Sequence, residues 1–180
     1  MIQLDKLSKS YGKLEVVRSI NLRIESGKVT AIVGPNGAGK TTIIKSILGL
    51  VKPDRGTTEI DGETVNGEYA YRDRIGYMAQ IARFPENLKV KTVLDMITDL
   101  RRAHHPDRDE ELIERFRLRT EFDKQFRTLS GGNRQKVNAS LAFMFDPEIL
   151  ILDEPTASLD PVASSILKDK IKEQKQAGKT

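Results

Sequence analysis

The sequence of 180 residues contains no cysteine, which excludes a disulfide framework, a thiolate metal site and a cysteine nucleophile. It also lacks long apolar runs. The longest, 141–145 and 149–152, are much shorter than the about 18 residues needed to cross a bilayer. The first residues, Met1–Asp5, have neither the basic region nor the apolar run of a secretion signal. From these absences we expect a cytoplasmic protein.

The charge of the chain is positive but dispersed. The formal net charge is +4 and the isoelectric point is near 9.2, values that invite a nucleic-acid interpretation. However, the basic residues are scattered among acidic ones, and the only local excess runs from Lys168 to Lys179. Such a run is typical of a solvated helix face, although phosphate ligands or an anionic membrane surface use the same charge. We therefore expect no nucleic-acid partner.

The first third of the chain predicts strands followed by a helix. Apolar and polar residues alternate over 20–24, which is the period of a half-buried strand, and 29–33 is a short β-rich run. Residues 41–50 place their apolar side chains on one helical face. Asp61–Gly62 predicts a tight turn between two short strands.

The middle and end of the chain predict more helix. Apolar residues keep helical spacing over 91–103 and 107–118, so the block 81–128 is expected to form a small helical subdomain inserted into an α/β core. The core resumes with a helix carrying Val137, Leu141, Met144 and Phe145, a buried strand over 149–152, and a last helix over 161–176. With no repeat or linker, this pattern predicts one domain over 1–180, with a mainly parallel sheet.

A glycine-rich loop lies between the predicted strand at 29–33 and the helix that follows it. It reads Gly-Pro-Asn-Gly-Ala-Gly-Lys-Thr over 34–41, the P-loop pattern. Glycines let successive backbone N–H groups turn towards phosphate oxygens at the positive end of a helix. Lys40 is expected to reach the β- and γ-phosphates, and the Thr41 hydroxyl to bind Mg²⁺.

Two carboxylates follow the buried strand at 149–152. In open α/β sheets ligands collect at this end of the strands, so Asp153 and Glu154 are candidates for the same chemistry. Asp153 is expected to hold Mg²⁺ through water, and Glu154 to orient and deprotonate an attacking water. A single carboxylate after a strand is often only a helix cap, and it is the P-loop that favours the catalytic interpretation of Glu154.

A third motif reads Leu-Ser-Gly-Gly-Asn-Arg-Gln over 129–135. Ser130 offers a hydroxyl and a helix N-cap, while Gly131 and Gly132 leave backbone N–H groups uncovered at the start of the helix. The motif therefore predicts a second anion site, without a lysine of its own. It has the form of the signature sequence Leu-Ser-Gly-Gly-x-x-Gln.

Together these motifs resemble the nucleotide-binding domains of ABC ATPases, and the resemblance covers the whole chain. Tyr11 resembles the aromatic residue that stacks on adenine, and the less favoured alternative is a tyrosine packed on its strand. Gln80 resembles the glutamine that contacts Mg²⁺ and links the core to the helical subdomain. Ser158–Asp160 resembles the loop that reaches the partner domain, and it also predicts the N-terminal cap of the helix that begins at Pro161.

The resemblance implies an α/β fold: a P-loop NTPase core of the ABC ATPase type, with an N-terminal antiparallel β portion and an inserted helical subdomain. It implies ATP and Mg²⁺ as cofactors, Glu154 as the catalytic residue, and Thr41, Gln80 and Asp153 as metal contacts. The implied nucleotide contacts are Tyr11, Gly34, Pro35, Asn36, Gly37, Ala38, Gly39, Lys40, Thr41, Thr42, Gln80, Ser130, Gly131, Gly132, Gln135 and Asp160.

By the same resemblance, the chain is expected to hydrolyse ATP as a homodimer or paired with another ABC ATPase domain. It would drive transport by transmembrane permease subunits from the inner face of the cell membrane, and those subunits normally select the cargo. The alternatives are a soluble, non-transport ABC ATPase and a nucleotide-binding regulator with little hydrolysis. The segment 75–96 is similar to ATPases associated with copper supply to nitrous-oxide reductase.

Two features depart from the family pattern. The family carries a switch histidine on a strand after the last helix predicted here, whereas the only histidines are His104 and His105, which precede Pro106 and are typical of a solvated helix end. Gly178 reads as a helix C-cap where the next strand would begin. The sequence therefore looks truncated, and we expect these residues to bind ATP but to hydrolyse it poorly.

Overall fold

The structure of the chain is a computed structural model that describes residues 1–67, 69–101, 104 and 107–180. Two units divide these residues: the first contains Met1–Arg72 and Gly178–Thr180, and the second contains Asp73–Ala177. No helix in the described part of the chain is both long and apolar enough to span a bilayer. Of the predicted solvated helix end, His104 lies in an exposed turn, while His105 and Pro106 fall outside the described residues.

The first unit is built on a four-stranded antiparallel sheet. Its strands are β1 (Ile2–Tyr11), β2 (Leu14–Ile24), β3 (Arg55–Ile60) and β4 (Glu63–Thr64), in the spatial order β2-β1-β3-β4. The half-buried strand predicted at 20–24 is confirmed as the end of β2. The predicted turn at Asp61–Gly62 is also confirmed: it joins β3 to β4 with φ angles of 50° and 86°, the left-handed values of a type I′ hairpin.

Helix α1 (Lys40–Ile47) supplies the other regular element of the first unit. It begins one residue before the predicted start and ends where Leu48 and Gly49 turn the chain. Ile43, Ile44 and Ile47 are buried, so the apolar face read from the sequence is the face that packs. The amphipathic pattern predicted this helix because its burial follows directly from the 3.6-residue period.

The second unit contains a parallel strand pair and most of the helices. Strands β5 (Ile75–Met78) and β6 (Ile149–Leu152) pair in parallel, with Ile75 opposite Ile149 and Met78 opposite Leu152. The helices are α2 (Val90–Arg101), α3 (Glu111–Arg115), α4 (Gly131–Phe143) and α5 (Pro161–Gln176), with 3-10 turns at Leu118–Glu121 and Phe126–Thr128.

The core of the second unit joins these helices to the strand pair. Phe126 lies at its centre, fully buried, and its ring stacks on Phe84 with the ring centroids 4.3 Å apart. Its other buried members include side chains of α2, α3, α4, α5 and β5, among them Val93, Leu94, Ile113, Val137, Leu167 and Met78. Within 81–128 the described helices are α2 and α3, and the prediction that this range forms an inserted helical subdomain stays a prediction.

Three predictions of regular structure were wrong in extent. The run 29–33 belongs to no strand in the described residues, and Val29 and Val33 are 59% and 88% exposed. Backbone groups of a strand need a hydrogen-bonded neighbour, and β propensity alone does not supply one. The prediction of a mainly parallel sheet was also wrong: among the described residues only β5 and β6 pair in parallel, and the larger sheet is antiparallel.

The helix predicted over 107–118 covers only Glu111–Arg115. The Asp109 carboxylate accepts a hydrogen bond from the Glu111 N–H, and this local contact replaces helical hydrogen bonding before Glu111. Met144 and Phe145 are buried as predicted but lie beyond the end of α4. The last helix has the bounds that the sequence predicts. Gly178 follows it with φ of 79°, as expected of a C-terminal glycine.

Candidate functional site

The glycine-rich loop of the first unit leads directly into α1. Gly37 and Gly39 have φ angles of 81° and 89°, and Lys40 is the first helical residue. The Lys40 ammonium donates hydrogen bonds to the carbonyl oxygens of Gly34, at 2.7 Å, and Pro35, at 3.0 Å. The loop therefore curls around its own lysine, which places a positive charge beside backbone amides at the start of a helix.

Gly39 is required on two grounds. Its left-handed conformation is costly for other residues. A Cβ atom here would also lie 2.9 Å from the carbonyl oxygen of Val16 and 3.2 Å from a methyl carbon of Val17, both on β2. This close approach of loop and strand fixes where α1 begins. Thr41 and Thr42, in the first turn of α1, are half-buried.

Tyr11 is a further candidate nucleotide contact in the first unit. It is the last residue of β1, is followed by a two-residue turn at Gly12, and pairs with Leu14 of β2. Its side chain is 50% exposed, so the ring offers surface for contact with a planar ligand. Stacking on adenine and packing on the strand both stay predictions for Tyr11.

The second unit brings Gln80 and Glu154 together, although they are 74 positions apart in sequence. The Gln80 amide nitrogen donates a hydrogen bond to a Glu154 carboxylate oxygen at 2.8 Å. The contact follows from the parallel pairing of β5 and β6, because parallel strands end at the same edge of a sheet. Glu154 has a left-handed φ of 50° and is exposed.

Asp153 occupies the end of β6 beside this pair. Its backbone N–H donates to the Met78 carbonyl oxygen at 2.9 Å, and the residue is only 4% exposed. Burial and, secondarily, the negative charge of Asp153 raise the pKa of the Tyr77 phenol on β5. The backbone hydrogen bond therefore holds Asp153 at the end of the strand pair.

Oxygen donors of this kind suit Mg²⁺, which binds few protein ligands and keeps water and phosphate oxygens in its shell. Asp153 supplies a carboxylate, and Gln80 supplies an exposed amide two residues beyond β5. No group of three or more His, Cys, Asp or Glu residues in the described ranges is placed to hold a metal ion. A Mg²⁺ contact by Asp153 or Gln80 stays a prediction.

The signature motif opens α4. Ser130 is its N-cap: the hydroxyl oxygen accepts the Asn133 N–H at 3.1 Å, which confirms the predicted cap. Ser130 and Gly131 are exposed, and a Cβ at Gly131 would meet nothing within 4 Å. A Cβ at Gly132 would lie 3.2 Å from the Ser158 carbonyl oxygen, so this glycine permits close packing of the loop before α5.

That loop ends at Asp160, whose carboxylate caps α5 by accepting the Ala163 N–H at 2.8 Å, as predicted. The Lys136 ammonium of α4 lies 2.8 Å from its other oxygen. Lys136 and, secondarily, the Ala163 amide hold the pKa of Asp160 below its ordinary value. An ion pair and a close backbone contact thus tie the loop to the signature helix.

Residues 17–157 match the family model described as ABC transporter. The chain belongs to the ABC transporter family. It is 37% identical over 186 residues to the daunorubicin resistance ATP-binding protein DrrA3 of Streptomyces coeruleorubidus, covering 99% of this chain and 58% of that protein. It is 34% identical over 186 residues to the lipopolysaccharide export system ATP-binding protein LptB of Haemophilus influenzae, covering 99% and 77%.

The chain is also 34% identical over 184 residues to a Nod factor export ATP-binding protein I of Cupriavidus metallidurans, and the match covers 100% of this chain. The chain spans only 58% of the length of DrrA3 and 61% of the length of this Nod factor protein. Among solved structures, the ATP-binding subunit of an ABC transporter matches with a TM-score of 0.88 and 31% identity, over 99% of this chain and 76% of that one. A dimeric ATP-binding cassette in a post-hydrolysis state with ADP and Pi matches with 0.87 and 25%, over 100% and 85%. The ABC ATPase fold predicted from the motifs is confirmed.

Gln135 is a predicted nucleotide contact, but its side chain is buried in this member of the ABC transporter family. It is 4% exposed, and its amide nitrogen donates to the Ala79 carbonyl oxygen at 3.4 Å. Asn138, one turn later, donates to the same oxygen at 2.8 Å and to the Gln135 amide oxygen at 3.3 Å. The two amides hold the chain just before Gln80. A nucleotide contact by Gln135 stays a prediction.

The sequence-based predictions did not include the hydrogen bonds of Asn138 or the ion pair between Lys136 and Asp160. A polar residue three positions after Gln135, on the otherwise apolar face of a helix, was the available signal for Asn138. Nothing in the sequence indicated that Lys136 would reach Asp160, because that contact depends on how α4 and α5 pack. Arg134 likewise forms a bidentate ion pair with Glu86, at 2.7 and 2.9 Å, that joins the signature helix to the loop before α2.

Proposed function

We propose that the chain is the ATP-binding and ATP-hydrolysing domain of an ABC transporter, which works as a dimer beneath membrane-spanning partner subunits. The observation that carries the proposal is the conformation of the glycine-rich loop, which wraps around the Lys40 ammonium at the start of α1. An ammonium, inward-turned backbone amides and a helix N-terminus together form a site for a polyphosphate. Family membership supports adenosine triphosphate as that ligand.

The residues of each unit are assigned by the chemistry of their own side chains. In the first unit, Lys40 neutralises phosphate charge and the Thr41 hydroxyl is a metal ligand. In the second unit, Asp153 and Gln80 are oxygen donors suited to Mg²⁺. When bound, Mg²⁺ would offset the charge that develops on the phosphate oxygens. The buried position of Asp153 supports its role, because a fixed carboxylate needs no reorganisation on binding a cation.

Glu154 is the proposed general base. The hydrogen bond from Gln80 to one carboxylate oxygen fixes the direction of the group, so that the other oxygen can accept a proton from the attacking water. The contact also joins the proposed base to the segment that follows β5. A displacement of that segment would therefore change the orientation of the base.

The exposed start of α4 supports the dimer. Ser130 and Gly131 are exposed at the start of this helix, an arrangement suited to the terminal phosphate of a nucleotide held by a second copy. Closure of two copies around ATP would complete the shell around the γ-phosphate and exclude water. A dimeric cassette among the similar solved structures supports this assembly.

Membrane partners and cargo are proposed from the relatives. Two relatives are named for the export of Nod factor and of lipopolysaccharide, and these names support an export cycle. The proposed location of the chain is the inner face of the cell membrane. Selectivity for the cargo is assigned to the membrane subunits. The similarity of 75–96 to copper-supply ATPases stays a prediction.

The first test is Lys40→Ala in a calorimetric titration with Mg-ATP. Loss of a charged hydrogen-bond donor of about 1.5–3 kcal/mol weakens binding by roughly 10- to 150-fold. Lys45→Ala, which removes an exposed lysine from the last turn of the same helix, is the matched control and should bind like the parent. Parent affinity in Lys40→Ala would contradict the assignment of the loop.

The second test is Glu154→Gln. The amide still accepts a hydrogen bond from water but takes no proton, so hydrolysis should fall by about 10²–10⁴-fold while ATP remains bound. Size-exclusion chromatography should then show a dimer that depends on ATP. Hydrolysis at the parent rate would exclude Glu154 as the base, and a monomer with saturating ATP would exclude the proposed assembly.

A further inference from the structure

We propose that Lys9 and Asp54 are positioning residues that hold the Tyr11 ring in place to stack on the nucleotide base. The inference rests on the proposed function, because it concerns how the base of a bound ATP is contacted. All of its residues belong to the first unit. It is carried by four contacts around the end of β1.

Strand β1 outruns its neighbour near Tyr11. The pairing between β1 and β3 ends at Ser8, opposite Arg55, after a register shift, so the residues after Ser8 have no ladder partner on that side. Asp54, the residue before β3, replaces that partner: its carboxylate accepts the Ser10 N–H at 2.7 Å, and its own N–H donates to the Ser8 carbonyl oxygen at 2.9 Å. Asp54 therefore fixes the backbone directly before Tyr11.

The same carboxylate also holds a side chain. Its other oxygen accepts a hydrogen bond from the Lys9 ammonium at 2.8 Å. Lys9 and Tyr11 are two positions apart on one strand and therefore project from the same face. The ammonium lies 5.8 Å from the centroid of the Tyr11 ring, within the range of a cation–π contact.

The arrangement leaves the tyrosine restrained yet available. Lys9 covers part of the ring, and Asp54 restrains Lys9, whose side chain is only 18% exposed, whereas Tyr11 remains 50% exposed. Lys9 and, secondarily, the Ser10 amide hold the pKa of Asp54 below its ordinary value, so the carboxylate is charged at neutral pH. A ring held in place before binding loses less rotamer freedom when a base stacks on it, which favours affinity.

The experiment compares two ligands that differ by the nucleoside. Mg-ATP and Mg-tripolyphosphate are titrated calorimetrically into the parent chain, Asp54→Ala, Lys9→Met and Tyr11→Ala. Stacking on an aromatic side chain is lost in Tyr11→Ala, and we expect a loss of ATP affinity of about 5- to 150-fold. The two positioning variants should lose part of this, about 3- to 10-fold, with tripolyphosphate affinity unchanged.

Two controls make the result specific. Asp123→Ala removes an exposed ion pair with Lys89, at 3.1 Å, from the second unit and should change neither affinity. In the double variant of Tyr11→Ala with Asp54→Ala, the second substitution should add nothing, because it acts through the ring that is already missing. Lys9→Met keeps the length of the side chain and its apolar stem, so the proposal stays testable if Asp54→Ala folds poorly.

The outcomes are distinct. Selective loss of ATP affinity in both positioning variants, without additivity in the double variant, supports the proposal. Equal weakening of ATP and tripolyphosphate, full additivity, or parent affinity for ATP in Lys9→Met and Asp54→Ala overturns it while leaving the proposed function intact. If the parent chain binds neither ligand, the proposed function fails and this proposal falls with it.

Discussion

Substituting Gly76 by alanine probes how closely β5 packs against α4. A Cβ atom at this position would lie 2.0 Å from the Ala142 carbonyl oxygen and 2.7 Å from a ring carbon of Pro147. Gly76 does not have a left-handed φ, so alanine introduces no backbone strain and the whole effect is steric. The nearest atom belongs to the backbone of α4, which cannot move aside as the end of a side chain could.

The magnitude follows from the size of this overlap. Side-chain carbons essentially never come closer than 3.0 Å to such an atom, so β5 and α4 must separate by about 1 Å. Overpacking of a core costs about 1–3 kcal/mol, and a backbone collision belongs at the upper end, near 3 kcal/mol. Alanine also stiffens the unfolded chain, which offsets only about 0.4–1 kcal/mol.

The assay is thermal and urea unfolding followed by circular dichroism. A loss of about 3 kcal/mol lowers the thermal midpoint of a chain of this size by roughly 6–12 °C. Gly131→Ala is the matched control: a Cβ there meets nothing within 4 Å and its φ is not left-handed, so stability should be equal or slightly higher. If Gly76→Ala unfolds within about 0.5 kcal/mol of the parent, the packing argument is wrong.

Two more predictions concern charges in the second unit. Lys170, with a side chain only 6% exposed, binds the half-exposed carboxylates of Asp109 and Glu111. Lys170→Met should therefore lower the free energy of unfolding in urea by about 1–3 kcal/mol, less than the loss of a fully buried ion pair. The control, Lys172→Met, changes an exposed lysine and should lower it by under about 0.5 kcal/mol. Equal losses at the two positions would refute burial as the cause. Lys136 is the main cause that lowers the pKa of Asp160 from its ordinary value of 3.8. The charged carboxylate therefore stabilises the fold at pH values above 3.8, and this stabilisation is lost as the pH falls through the lowered pKa. The thermal midpoint of Asp160→Asn should therefore lie below that of the parent at pH 6 and approach it as the pH falls below 3.8, and a gap that does not narrow would count against the ion pair.

Local signals in the sequence predicted the local structure well. Ser130 and Asp160 were predicted as N-caps, and each accepts the N–H three residues later. The helix 161–176 and the turn at Asp61–Gly62 have the predicted positions. These features depend on hydrogen bonds and backbone angles within a few residues, so consecutive residues are enough to specify them.

Pairing between distant segments was predicted less well. The run 29–33 has the composition of a strand but no hydrogen-bonded neighbour, and alternation of strands and helices predicted a larger parallel sheet than the pair β5 and β6. The burial of Gln135 was missed for a related reason. A signature glutamine reads as a ligand contact, while its partner, the Ala79 carbonyl oxygen, is 56 positions away in sequence.

The sequence by itself determined the family, the loop that surrounds Lys40, the acidic pair at 153–154 and the caps of α4 and α5, because each is a short pattern whose chemistry lies in adjacent residues. Only the tertiary structure decided that Gln80 would hold Glu154 and that Asp54 would fix the strand before Tyr11. Both contacts arise beyond the last paired residues of neighbouring strands, and strand register is set by packing over the whole sheet rather than by the residues that meet.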